Sequence, residues 1–233
     1  MPLNKQRKLK LSYSAIICGI FAAVIAVVYS TNIYHARLKA ERFYTSVVDE
    51  YVSEETVSSA PDWYGTITIN LEELQAINSD IIGWILFENE PISYPILYSG
   101  DNETYLRHTY TNEYSIAGSI FVDGRNHPDF SDSKTLIYGH NLEDDETMFG
   151  RLPRFLDQSY LENHRFFQII TKTAAYRYEI QKTTIVTPTD DIYQYSKTDT
   201  LTSENPRIIL STCYNDSKDR LVLTAYRSEE YLF

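Results

Sequence analysis

The chain has 233 residues, of which 43% are hydrophobic and 14% aromatic, and a formal net charge of −11 at pH 7. That length holds one globular domain of ordinary size plus a short further segment, and the acidity argues against nucleic acid, whose phosphates would repel it. Of the two cysteines, Cys18 lies in an apolar run near the N-terminus and Cys213 near the other end, which excludes a disulfide framework for the polar remainder.

Residues 1–10 carry Lys5, Arg7, Lys8 and Lys10 and no acid, and residues 11–34 hold no charged side chain. The stretch 15–29, AIICGIFAAVIAVVY, is almost wholly apolar. A run of roughly 20 such residues spans the hydrocarbon core as a helix, and the basic flank holds its N-terminal end in the cytoplasm. A cleaved signal peptide shares the basic start, with Val28-Tyr29-Ser30 as its cleavage site; a buried core helix does not explain the flank. The expected organisation is a cytoplasmic tail over 1–10, a transmembrane anchor over 11–30, a helical stalk or linker over 31–69, and a globular domain over 70–233 on the outer side of the cell membrane. Four positive charges precede residue 31, so residues 31–233 carry −15 of the total of −11.

Residues 31–60 are polar, charged and free of glycine and proline, and are expected to be helical to near Pro61. Asn70 followed by Glu73 forms a capping box for a helix through about Asn78, with Gly83 ending the segment. The pattern then changes to short β runs separated by turns: 84–87, 93–98, 118–122, 135–138, 166–171, 176–186, 208–212 and 221–226. Two helices are expected between them, near 102–108 and 147–156. Eight short strands with few helices indicate a mostly β fold, a closed barrel or a sandwich, and the 20 tyrosines suit such strands.

Cys213 closes the apolar run Arg207-Ile208-Ile209-Leu210-Ser211-Thr212, and Arg220 opens Leu221-Val222-Leu223 after a short polar break. A lone thiol in an exported domain is either buried and inert or kept for its reactivity. A nucleophilic cysteine needs a proton carrier and a group to stabilise the oxyanion formed on the attacked carbonyl. Of the histidines outside the apolar segment, His140 follows the strand run KTLIY within Tyr138-Gly139-His140-Asn141, where a strand end can project an imidazole over a groove; a surface turn histidine fits the same sequence. Arg220 is either an exposed strand-edge arginine or, across a hairpin, a guanidinium donating paired hydrogen bonds beside Cys213. Cys213 and His140 lack the clustered spacing of zinc ligands.

Ile209-Leu210-Ser211-Thr212-Cys213 resembles the TLxTC signature of sortases, the membrane-anchored cysteine transpeptidases of Gram-positive bacteria. Arg220 matches the family's arginine at the start of the following strand, and His140 in TLIYGHN matches its upstream histidine. The similarity runs from about Asn70 to the C-terminus and includes Asn78-Ser79-Asp80-Ile81-Ile82-Gly83-Trp84-Ile85, Tyr94-Pro95-Ile96, Asp101-Asn102-Glu103-Thr104-Tyr105-Leu106 and Gly118-Ser119-Ile120-Phe121-Val122-Asp123. In that order, these segments look most like class B sortases. Ile209 stands where the signature has its first threonine. The stretch 187–206 is shorter than the helix-containing loop typical of class B, and the position two after the cysteine, acidic in some members, is Asn215, followed by Asp216.

The resemblance implies a closed eight-stranded sortase-type β-barrel with a few short helices, preceded by the transmembrane helix. It implies Cys213 as the nucleophile, His140 as the proton carrier and Arg220 as the oxyanion stabiliser, with Asn102, Leu106, Tyr138 and Ser211 lining the substrate groove. The implied reaction cleaves a C-terminal sorting motif after threonine and transfers the surface protein to a peptidoglycan amine, with no metal or organic cofactor. A pilin-polymerising sortase that joins subunits through a lysine amine is the alternative. Such enzymes usually carry an Asp-Pro-aromatic lid and often a second apolar segment, whereas here Pro61-Asp62-Trp63 has the other order and an apolar tail is not expected before Phe233. A non-catalytic surface binding module would be expected to have lost Cys213, His140 or Arg220.

Overall fold

The computed structural model describes residues 3–54, 60–65, 67–142, 146–196 and 206–233. The chain divides into two compact units, Met1–Lys39 and Ala40–Phe233. The helix α1, Leu3–Tyr51, runs through the boundary. Its apolar part is long and hydrophobic enough to cross a membrane, with a mean hydropathy of 2.2 over its most apolar window and none of that window buried in protein. The stalk departs from the sequence reading: the helix stops at Tyr51, and β1, Val52–Glu54, pairs antiparallel with β2, Ile67–Ile69. The alternation of Val52 with Thr68 and Ile69 suits a short ladder once Tyr51 and Ile69 have burial to gain,. Part of the expected stalk, 55–59, lies outside the described residues.

The helix α2, Leu71–Ile77, is capped by Asn70, whose side chain accepts from the Glu73 backbone N–H at 3.2 Å. The Glu73 carboxylate takes the Asn70 side-chain amide at 2.8 Å instead of the backbone N–H, because that N–H already donates to the Tyr51 carbonyl. Gly83 does not end this segment. It lies inside β3, Ile81–Phe87, beside a register shift, where a Cβ would sit 2.9 Å from the Ile170 carbonyl oxygen; the strand crosses its neighbour too closely for a side chain there.

β4 (Ser93–Leu97), β5 (Ile120–Val122) and β6 (Lys134–Tyr138) follow, then the two-residue pair β7 (Asn141–Leu142) and β8 (Thr147–Met148). After them come α3 (Gln158–Asn163), β9 (Phe166–Ile170), β10 (Ala174–Val186), β11 (Arg207–Tyr214) and β12 (Asp219–Leu232). Eight of these close a barrel in the order β10-β12-β11-β6-β5-β4-β3-β9, so the barrel sheet itself has no open edge. Each of the eight expected strand runs falls in one barrel strand. The helices differ: 102–108 contains only a 3₁₀ turn, Thr104–Leu106, and 147–156 splits into β8 and a 3₁₀ turn, Leu152–Leu156. Glu146 and Met148 both adopt positive φ, and Pro153 at the start of the second turn removes a donor, so a continuous helix cannot form,.

Trp84, Ile85, Phe167, Tyr178, Leu210 and Leu223 are buried in the principal core, and the Trp84 indole N–H donates to Ser93 Oγ at 2.9 Å. A second small core, Leu136, Ile209 and Val222, lies under Val186, Ile192, Tyr193 and Tyr195. Residues 192–195 therefore form a packed cover, and the 3₁₀ turn Asp191–Tyr193 is capped by Asp190.

Candidate active site

β11 and β12 form an antiparallel hairpin in which Cys213 is directly opposite Arg220. Directly opposed residues project from the same face with Cβ atoms about 5 Å apart, so strand pairing alone brings thiol and guanidinium together. The turn needs Asn215, Asp216 and Ser217 at φ of 50°, 52° and 67°, a left-handed conformation that Asn and Asp tolerate best. The Lys218 N–H donates to the Asn215 carbonyl at 3.0 Å, and the Asn215 side-chain amide reaches Asp219 Oδ2 at 2.7 Å. Arg220 Nη1 donates to the Ser217 and Asp219 carbonyls at 3.0 and 2.9 Å, which braces the side chain against its own turn.

β6 runs parallel to β11, with Tyr138 beside Ser211, and its continuation is stapled to the cysteine strand by three bonds. The Gly139 N–H donates to the Ser211 carbonyl at 3.3 Å, Thr212 Oγ1 to the Gly139 carbonyl at 2.7 Å, and Asn141 Nδ2 to the Cys213 carbonyl at 3.0 Å. These hold His140 at a set height relative to Cys213. The ring's Nε2 lies 2.8 Å from the Leu106 carbonyl oxygen. A carbonyl only accepts, so Nε2 carries the proton and Nδ1 is the basic nitrogen of the neutral ring. Burial pushes the His140 pKa below its ordinary value and the nearby Arg107 adds to that, while the Leu106 bond opposes both.

Cys213, His140 and Arg220 line one groove of about 220 Å³. Asn102, Leu106, Tyr138 and Ser211, the four groove residues expected from sequence, line it too, as do Phe121 and Thr212. Two of the four have their polar ends directed at Asp123: Tyr138 O–H donates to Oδ2 at 2.7 Å and Asn102 Nδ2 to the same oxygen at 3.1 Å. Burial and the Asp123 charge push the Tyr138 phenol far above its ordinary pKa, so it stays a donor. The other histidines of the barrel unit are engaged elsewhere: His108 Nδ1 is 2.8 Å from the Thr104 carbonyl oxygen, His127 Nδ1 is 2.7 Å from Asp132 Oδ1, and the His164 ring stacks on Tyr160. Among the described residues, no group of three or more His, Cys, Asp or Glu is placed to hold a metal ion.

Sequence reasoning missed Tyr193 and Asp123. Tyr193 O–H is 2.8 Å from Oγ of the groove residue Ser211; nothing in the isolated run Asp191-Ile192-Tyr193 marks it. Asp123 does carry a signal, since Asp123-Gly124-Arg125 after an apolar strand places a carboxylate and a guanidinium two residues apart at a turn.

Residues 89–228 match the sortase domain family. Sortase B of Listeria monocytogenes is 40% identical to this chain over 129 residues, 55% of this chain and 51% of that protein. The chain spans about half the length of the curated relatives it matches. Sortase B from B. anthracis, solved in complex with AAEK1, superposes with a TM-score of 0.66 at 27% identity, covering 84% of this chain and 99% of that one. A class B sortase of Streptococcus pyogenes described as involved in pilus biogenesis superposes with a TM-score of 0.58 at 28% identity, covering 68% and 98%.

Proposed function

The chain belongs to the sortase family and is most similar to its class B members, and from that membership we propose that it is a membrane-anchored cysteine transpeptidase acting on surface proteins outside the cell membrane. The observation that carries this reading is the convergence of Cys213, His140 and Arg220 on one groove. The Cys213 sulfur attacks the carbonyl carbon of the threonine in a C-terminal sorting motif, and its proton passes to His140. Arg220 donates to the oxyanion of the tetrahedral intermediate. Collapse breaks the C–N bond, His140 protonates the departing amine, and a thioacyl enzyme remains. A peptidoglycan amine then attacks the thioester and loses its proton to His140, which passes it to the departing Cys213 sulfur and so restores the thiol. The product is a new amide, and no electrons are gained or lost.

Helix α1 would hold the enzyme in the membrane through its apolar part, with the basic N-terminal tail on the cytoplasmic side. The alternative acceptor is a lysine amine of a pilin subunit, favoured by the likeness to the S. pyogenes enzyme described as involved in pilus biogenesis.

The test is incubation of residues 31–233 with a library of C-terminal sorting peptides and, separately, a peptidoglycan amine or a pilin lysine peptide. Mass spectrometry should find cleavage after threonine and transfer to one of the two acceptors. Cys213→Ala should abolish both, because Cys18 falls outside this stretch and no second thiol remains to form the thioacyl bond. Retention of about a tenth of wild-type turnover by that variant would remove the cysteine mechanism, since losing an essential nucleophile costs orders of magnitude.

A further inference from the structure

The Asp123 carboxylate is fully buried and gathers five hydrogen bonds. Oδ1 accepts from the Arg125 backbone N–H at 3.0 Å and from Arg125 Nε at 2.8 Å. Oδ2 accepts from Arg125 Nη2 at 2.7 Å, from Tyr138 O–H at 2.7 Å and from Asn102 Nδ2 at 3.1 Å. One buried anion thus holds two groove residues on one side and a forked guanidinium on the other, the bidentate geometry in which arginine outperforms lysine.

Arg125 then reaches away from the barrel. Its Nη1 donates to the Tyr193 carbonyl at 3.1 Å, and its guanidinium carbon lies 4.2 Å from the Tyr195 ring centroid. The buried Lys134 reinforces the grip: Nζ donates to the Gln194 carbonyl at 2.5 Å and lies 4.6 Å from the same ring centroid. Tyr195 O–H also donates to Asn126 Oδ1. Two cations on one aromatic ring, each also bound to a backbone carbonyl, pin a segment that packs on the small core of Leu136, Ile209 and Val222,. Tyr193, at the end of this pinned turn, meets Ser211 in the groove.

We infer that Arg125 is a positioning residue which, clamped between Asp123 and Tyr195, ties the Asn102–Tyr138 side of the peptide groove to Tyr193 and, through it, to the groove residue Ser211, and so sets how tightly, and how selectively, the sorting peptide is held. Arg125 itself does not line the groove around Cys213; it acts through Asn102, Tyr138 and Tyr193. The inference rests on the transpeptidase reading for its substrate, while the clamp itself is a property of the fold.

Two variants test it. Arg125→Lys keeps a cation against the buried Asp123 but loses the fork and the planar stack. Tyr195→Leu keeps apolar cover over the small core but removes the ring. For a peptide that the wild type cleaves, kcat, KM, the rate of Cys213 alkylation by iodoacetamide, and amide hydrogen exchange over 190–196 are measured. Both variants should raise KM by roughly fivefold or more and leave kcat and thiol alkylation within about twofold, the pattern of lost binding that is equal in ground and transition states. Exchange over 190–196 should accelerate, and discrimination between peptides differing at one position should narrow. Unchanged KM in folded variants would overturn the inference, as would a fall in kcat alone. Should Arg125→Lys fail to fold, Tyr195→Leu decides. If the wild type cleaves no sorting peptide, the transpeptidase reading fails; the clamp is then judged by exchange, and unchanged exchange in the variants overturns it.

Discussion

At the scale of single residues, Arg220 and His140 have roles that separate by experiment. Lysine in place of Arg220 keeps the positive charge and loses the planar, two-pronged donor set. If Arg220 holds an oxyanion in fixed geometry, Arg220→Lys should cost about 2.7–4 kcal/mol, on the order of 10²–10³ in kcat/KM, as removal of one oxyanion-hole donor does. Iodoacetamide reactivity of Cys213, measured in parallel, should stay near wild type; a variant within about threefold of wild-type kcat/KM would leave the charge alone as the requirement. His140 offers a pH test. Its folded-state pKa lies below the ordinary 6.5, chiefly through burial. The ring's contribution to stability is therefore whole above the unfolded-state value and is lost as pH falls from there through the lower folded-state value. In Cys213→Ala, which removes any coupling to the thiol, the His140 ring should titrate by NMR with a midpoint under 6.5. A midpoint above that value would mean an unrecognised anion beside the ring.

At the scale of elements, the site depends on close approaches that a side chain would obstruct. Gly118 has φ of +56°, and a Cβ there would stand 2.6 Å from the carbonyl oxygens of both Tyr105 and Leu106. The Leu106 carbonyl is the one that receives His140 Nε2–H. The Gly118 carbonyl in turn accepts from Tyr44 O–H, and Tyr44 O–H also lies 3.1 Å from Ser119 Oγ. Gly118→Ala should therefore cost about 1–3 kcal/mol in stability from the left-handed backbone alone, read as a lowered midpoint in denaturant. It should also lower kcat, because the Leu106 carbonyl it displaces holds the imidazole, and raise KM as well to the extent that the Leu106 side chain in the groove moves with it. A wild-type kcat in a destabilised variant would show that the Leu106 contact is dispensable.

At the scale of the whole molecule, the unit Ala40–Phe233 contains the closed barrel, both cores and the groove. A chain beginning at Ala40 should unfold in one cooperative calorimetric transition and cleave the same peptides as the longer protein. The full chain, with its apolar helix, should need detergent or lipid to stay dispersed. An aggregated or inactive product beginning at Ala40 would show that residues before it are needed for the barrel to hold its shape.

The amino-acid sequence by itself determined the apolar helix, the eight strand runs, and the identity of Cys213, His140 and Arg220 as the residues to watch. The helix and the strand runs rest on local signals, hydrophobic period and turn residues, that survive when the chain is read one segment at a time; the three residues stand out by their resemblance to the sortase signature, since spacing alone leaves each with an ordinary structural explanation. Only the tertiary structure decided that 102–108 and 147–156 are not helices: the Tyr105 and Leu106 carbonyls face the Ser119 N–H and His140 Nε2 from distant parts of the chain, and Glu146 and Met148 adopt positive φ. It also decided that β11 lies between β6 and β12, which brings His140 and Arg220 to Cys213 from opposite sides. Tyr193 was out of reach for the same reason, and so were the partners of Asp123, although the Asp123-Gly124-Arg125 turn itself is marked in the sequence. Ser211, Tyr138 and Asn102 lie between 15 and 21 residues from the groups they meet, and a hydrogen bond across that separation exists only once the barrel has closed.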